Sequence, residues 1–359
     1  MNTATLDNLL HVGVAQSTIT PPIGFTISGP EFEDRPALGI NDDLSARCVV
    51  FESYGQTSAL VSLDVWGISD SVRERLIAAI SQATNIPQTN IIITATANGN
   101  SPPLWRENTD QPPEYANYVN YLPDIVAGAA LEASLALEPA AVGTVSAILP
   151  NLSCFANPNQ PEQLETERET LQLSIVLTSD NHIKCLIYNF ACPATIIGNT
   201  QEWTADYPGI ASSALEQAGV DTAIFLQGAS ADIRPFDWWD GNTNVSHAER
   251  TWSDAQAFGI LLATQAIRAA PNAIARRNAP IKTAQSEDGT LTALTLGEAT
   301  LITTNQPQPI EFVADLRSAL PNTKLLVNAN SSGRDSPTSA AERATTLSTA
   351  IELVNRLAV

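Results

Sequence analysis

Short apolar runs bounded by turn-forming residues alternate along the chain with longer stretches in which apolar side chains recur every third or fourth position. Ala46–Glu52 and Ser58–Leu63 flank Ser-Tyr-Gly-Gln-Thr and predict a hairpin. Leu171–Leu177 and Ile183–Phe190 flank Ser-Asp-Asn-His and predict a second. Asn90–Thr96 and Ala223–Gln227 are almost wholly apolar, the pattern of strands buried on both faces of a parallel arrangement. Helical spacing marks Asp70–Ala83, Glu114–Leu137, Pro208–Ala218, Ser253–Arg268 and Ala340–Leu357. The order is hairpin, helix, buried strand, helix, and then the same again. It predicts an α/β protein of two similar α/β halves forming one compact domain with mixed sheets. Leu137–Glu165, with its prolines and asparagines, reads as a long crossover and a candidate lid.

Charge narrows the partners. The chain has 359 residues, 44% of them hydrophobic, and a net charge of −20 from 18 Lys+Arg against 38 Asp+Glu. So negative a charge argues against nucleic acid or an anionic membrane surface as partner, since either needs a basic patch, and the expected partner is a small molecule. No apolar run reaches membrane-spanning length, because Glu132 and Glu138 interrupt the Ala/Leu-rich stretch around them. The first residues carry neither a basic nor an apolar leader segment, and the four cysteines (Cys48, Cys154, Cys185, Cys192) show no metal-binding spacing. A cytoplasmic protein with reduced thiols is the expectation.

The chemistry-bearing residues follow the predicted strand ends, where α/β sheets place their ligands. They lie in Asp64-Val-Trp66, Ala95-Thr-Ala-Asn-Gly-Asn-Ser-Pro102, Asn189-Phe-Ala-Cys-Pro-Ala-Thr195, Ala205-Asp-Tyr-Pro-Gly209 and Gln227-Gly-Ala-Ser-Ala-Asp-Ile-Arg-Pro235. Together with Ile19-Thr-Pro-Pro-Ile-Gly24 and Gly39-Ile-Asn-Asp-Asp-Leu-Ser-Ala-Arg47, and in this order, they resemble the catalytic domain of the neutral/alkaline non-lysosomal ceramidases, zinc-dependent amidases. The resemblance runs over nearly the whole chain. It implies a single ceramidase-like domain over 1–359, without the immunoglobulin-like C-terminal domain of larger family members.

The family's catalytic residues do not carry over. Where its first two zinc histidines fall in Ala-Thr-His-Thr-His-Ser-Gly-Pro, this chain has Ala97 and Gly99, and Pro193 stands at the next. The metal-binding glutamate aligns with Gln308, the metal-binding tyrosine with Ser332, the family's His-Asp pair with Asn41-Asp42, and the nucleophilic serine with Arg234. Alanine, glycine and proline side chains hold no zinc, which needs imidazole, thiolate or carboxylate. None of the three histidines (His11, His182, His247) sits at a ligand position. The expectation is no metal and no cofactor.

What remains is aromatic and polar. Five of six tryptophans (Trp66, Trp105, Trp203, Trp238, Trp239) fall in or just after these loops, either packing them down or lining a pocket for a flat or cationic ligand. Asp232 and Arg234 form an ion pair, or Arg234 grips a carboxylate or enolate oxygen while Asp232 moves a proton. Asp64 is an acid/base or a hydrogen-bond acceptor for nearby backbone. Asp206 reads first as a helix N-cap and second as a site residue. Asn98 and Asn100 offer amides where the family holds its metal. The combination suits a metal-independent cyclase, isomerase or rearrangement catalyst on a small apolar or aromatic molecule. The alternatives are a non-catalytic ligand-binding or regulatory protein and a residual amide hydrolase.

Overall fold

A computed structural model describes residues 9–29, 34–106, 111–157, 160–235, 251–329 and 339–358. Strand β1 (His11–Thr18) pairs with β2 (Ser45–Ser53), which returns through a tight turn as β3 (Gln56–Leu63). Tyr54 and Gly55 both take positive φ there (52° and 71°), as a two-residue hairpin whose twist matches its strands requires. Helix α1 (Asp70–Thr84) follows, with the Ser69 hydroxyl capping Val72 N and Val72, Leu76 and Ile80 turned inward. Strand β4 (Ile91–Ala95), buried throughout, then pairs parallel to β3, and α2 (Tyr115–Leu135) closes the unit. At Gly13 of β1, α2 passes so near that a Cβ would lie 1.9 Å from Ala133 O. Only glycine permits that approach.

The same order repeats. Strand β5 (Glu138–Ile148), the hairpin β6 (Thr170–Thr178) and β7 (Ile183–Phe190), α3 (Asp206–Gln217), the fully buried β8 (Thr222–Gln227) parallel to β7, and α4 (Trp252–Ala269) form the second unit. The two units join edge to edge through β1 and β5 into one eight-stranded sheet, ordered β8-β7-β6-β5-β1-β2-β3-β4. The predicted α/β halves are therefore present, in mixed sheets.

Two features depart from the sequence reading. The stretch expected to be a crossover lid is in large part β5, which pairs along β6 from Ala140 to Ile148. Its opening Glu-Pro-Ala-Ala resembles a loop, but its Val142, Gly143 and Thr144 are buried against a neighbour. A third unit of the same kind also exists: β9 (Thr283–Gln285), the hairpin β10 (Leu291–Leu296) and β11 (Ala299–Thr304), α5 (Ile310–Ala319), β12 (Lys324–Ala329) parallel to β11, and α6 (Ala340–Ala358). Thr292, Thr295, Thr300, Thr303 and Thr304 dilute the apolar signal of these strands.

The three units meet at the C-terminal ends of their parallel strand pairs. Ser62 of β3 donates to Phe225 O of β8 (2.9 Å), and Asn189 of β7 donates to Leu226 O of β8 (2.9 Å) and Val327 O of β12 (3.0 Å). This junction positions the candidate site.

Candidate functional site

Two polar regions flank the junction; the buried side chains of the first are mostly hydrogen-bonded, Thr96 Oγ1 and Asp42 Oδ1 excepted among the described residues. In the first every sequence-predicted group is in use. Asp64 is buried, 3.0 Å from Arg47 Nη1, and accepts from Ser45 N at 2.9 Å. Burial pushes its carboxyl up against the pull of Arg47. Arg47, despite a burial that opposes its charge, is held above its ordinary value by Asp64 and Glu216. Asn98 donates to Thr204 O (2.7 Å) and Asp64 O (3.3 Å) and accepts from Asn100 N (3.0 Å). Asn100 donates to Ile197 O (2.9 Å) and accepts from Arg35 (2.6 Å). Asp206, at φ +52°, accepts from Ile197 N (2.8 Å) and Tyr207 N (2.6 Å); it is the first residue of α3 and does not serve as the expected N-cap, which is Ala205, because its carboxylate is turned to the 197 loop. These amides and carboxylates tie the 96–101 loop to the 194–206 loop. They rigidify the floor and turn their polar atoms into it.

In the second region several buried polar atoms are not in use. Thr195 follows β7, Gln227 ends β8, Gln308 precedes α5 and Asn328 lies near the end of β12; none is more than 1% exposed. Among the described residues, Thr195 Oγ1, Gln227 Oε1, Asn328 Oδ1 and both polar atoms of the Gln308 amide have no hydrogen-bond partner, and neither has Arg234 Nε. Two contacts tie part of the set together: Asn328 donates to Gln227 O at 3.0 Å, and Ala231 N, three residues before Arg234, donates to Gln308 O at 3.1 Å. Each buried polar group without a partner costs about 1–3 kcal/mol. So many at one junction mark a place where a polar ligand would be held. Sequence reasoning missed Thr195, Gln227 and Asn328 as site residues, although Gln227 and Asn328 are the polar ends of apolar runs.

Asp232 and Arg234 border this second region without pairing with each other. Asp232 accepts from Ile310 N (3.0 Å) at the start of α5, and burial raises its carboxyl above the usual range. Arg234 lies in a short strand, Ile233–Pro235, antiparallel to Ser153–Phe155, and is half-buried.

Among the described residues, Trp66, Trp105 and Trp203 do not line one common cavity. Trp203 is fully buried in the apolar core of the first unit, its indole N–H donating to Pro22 O at 3.4 Å. Trp105 is buried beneath the Arg106 guanidinium, 4.8 Å from its ring centre, and Trp66 is half-buried. Trp238, Trp239 and Ser332 lie outside the described residues. Trp252, left out of the aromatic set, lines a cavity of about 350 Å³ with Asn41, Ile197, Thr200 and Thr204.

Beside that cavity Asp42 accepts from Ala205 N (3.0 Å) and keeps its other oxygen buried without a partner. Burial raises its carboxyl to about 7. Between the ordinary carboxylate value and 7 the folded chain therefore holds a proton that the unfolded chain has lost, so stability falls as pH rises through that window. Relative to Asp42→Asn, the wild type should lose about 1 kcal/mol from pH 5 to pH 6, read by urea denaturation at both values. A pH-independent difference would show that Asp42 ionises normally.

No helix among the described residues is long and apolar enough to cross a membrane. Likewise, no three His, Cys, Asp or Glu side chains among them gather as a metal site. No protein-family model matches the chain, and no curated protein sequence does. Its structure is similar to that of neutral ceramidase from Pseudomonas aeruginosa, with a TM-score of 0.76 at 13% identity over 97% of this chain and 74% of that one. A ceramidase complexed with C2 gives 0.74 at 13% identity, over 97% and 76%. At that identity the likeness establishes the architecture and leaves the chemistry to the residues present. The chain has a ceramidase-like α/β fold.

Proposed function

We propose that this chain binds a small organic molecule at the unpartnered polar cluster of Thr195, Gln227, Arg234, Gln308 and Asn328, and acts on it by metal-independent acid–base chemistry. The observation that carries the reading is the set of buried polar groups without hydrogen-bond partners at Gln227, Gln308 and Asn328, beside the strand ends where this class of fold places its ligands. The donor set does not suit zinc. Ala97, Gly99 and Pro193 supply no ligand atom, and Gln308 supplies only a neutral amide. Loss of the family's metal centre is part of the proposal.

The cluster suits a ligand carrying both an oxyanion or carbonyl and N–H or O–H groups. The Arg234 guanidinium holds the oxygen, the Gln227 and Asn328 carbonyls accept from the ligand's donors, and Gln308 does either. Asp232, with a carboxyl raised by burial, takes in its ionised form a proton from the carbon α to the held carbonyl, the electron pair moving onto the carbonyl oxygen, and returns the proton to another position. The charge that develops on that oxygen is met by Arg234. Proton removal and return balance without oxidant or metal, which fits isomerisation, rearrangement or cyclisation. Cys48, Cys154, Cys185 and Cys192 form no disulfide among the described residues, which suits a reducing compartment and supports the cytoplasmic reading.

A non-catalytic ligand-binding protein is the second reading, favoured by one contact: Asp232 spends an oxygen on Ile310 N as a helix cap. Mass spectrometry of the small molecule retained by purified protein, followed by turnover assays on it, separates the two. The catalytic reading expects Arg234→Gln to lose the ligand, and Asp232→Asn to keep it while turnover falls about 100-fold or more. Ligand retention by Arg234→Gln contradicts the site, and unchanged turnover in Asp232→Asn contradicts the catalytic role.

A further inference from the structure

A second cavity, of about 430 Å³, opens between the N-terminal ends of α1 and α2, and nothing in the proposed function uses it. Its walls include the apolar side chains of Val72, Leu104 and Val119, and its cations are Arg75 and Arg106. No carboxylate among the described residues lines it, although acidic residues outnumber basic ones 38 to 18 in the chain. The contrast within the molecule is direct. A cavity of about 750 Å³ beside α6 carries Glu287, Asp288, Glu342 and Glu352.

Charge in the smaller cavity is only partly compensated. Arg75 uses Nη2 on two neutral acceptors, Val119 O and Asn120 Oδ1, both at 3.1 Å, and no carboxylate among the described residues pairs with it. Arg106 reaches Ser28 (2.7 Å) and Asp34 through Nη2, while its Nε has no partner. Ser69, the N-cap of α1, and Tyr115, the first residue of α2, bring two helix N-termini to the same opening, where backbone dipoles favour negative charge.

Tyr115 adds an independent sign. It lines the cavity and is 8% exposed, and its hydroxyl has no hydrogen-bond partner. Its neighbour Tyr118, by contrast, donates to Ile19 O at 2.8 Å. A buried phenol donor without an acceptor is costly, and an anionic oxygen between two arginines would satisfy it.

We propose that this cavity binds a small amphipathic organic anion. Its carboxylate is held by Arg75, Arg106 and the Tyr115 hydroxyl, and its apolar body lies against Val72, Leu104 and Val119. The volume falls in the range of ordinary small-ligand pockets, about 300–1,000 Å³. The inference stands apart from the strand-end site.

Calorimetric titration of the full chain with 1-naphthylacetate, its neutral alcohol analogue naphthalene-1-ethanol, and acetate tests it. The expected result is saturable binding of naphthylacetate, with both analogues at least tenfold weaker. Arg75→Gln, a swap between good helix formers on an exposed position, weakens binding at least tenfold without altering the melting temperature of the free protein. Tyr115→Phe weakens it several-fold, and Arg234→Gln leaves it unchanged. Absence of naphthylacetate binding, equal affinity for the alcohol, unchanged affinity in Arg75→Gln, or loss of binding in Arg234→Gln would each overturn the proposal.

Discussion

Trp203→Ala should lower stability by about 3–5 kcal/mol, the cost of deleting a large side chain from a closed core. Trp203 is fully buried and shares the first unit's core with Ile19, Phe25, Val65 and Ala205. Its two-residue strand, Glu202–Trp203, runs parallel to Gly39–Ile40 and ties the α3 entry loop to the N-terminal half. Truncation leaves a cavity that surrounding backbone, itself hydrogen-bonded at Asn41 N to Trp203 O, cannot collapse to fill. The half-buried Trp66 should cost much less on the same change, about 1 kcal/mol. Guanidinium denaturation of both variants makes the comparison. Equal and small losses would mean that Trp203 faces a ligand space and that the aromatic-pocket reading of the loops holds for it.

That contrast explains which parts of the molecule could be read from sequence. Tyr54-Gly55 and the apolar runs at 91–95 and 222–227 announce their elements because local chemistry decides them. Glu138–Ile148 was not announced as a strand, since its pairing with β6 is a long-range fact. The third unit was hidden by threonines, which serve strands and loops alike. For the site the limit is different. Asn98 and Asn100 look available in a loop sequence, yet their amides are spent on Thr204 O and Ile197 O. Gln227 and Asn328 look like ordinary strand ends, yet each keeps a carbonyl buried and unmatched. Whether a polar group has a partner is a property of the fold, and residue type alone does not reveal it.

The same property yields the second large effect. If Gln308 is kept polar for a ligand, the ligand-free protein bears the cost of burying an amide with neither end hydrogen-bonded. Gln308→Met preserves length and approximate volume while removing both polar atoms, so the site gains packing without a new clash. The prediction runs opposite to the usual effect of core substitutions, most of which destabilise. Function and stability would then be traded at one residue. The neighbouring backbone contact, Ala231 N to Gln308 O, is retained in the variant because it uses the main chain.

The decisive measurement is the urea-unfolding free energy of ligand-free wild type and Gln308→Met, taken with ligand retention of the same samples by mass spectrometry. The account predicts that the variant is more stable by about 1–3 kcal/mol and no longer holds the small molecule. A variant that is less stable than wild type and retains the ligand would show that Gln308 serves the fold, and that the strand-end cluster is not the binding site.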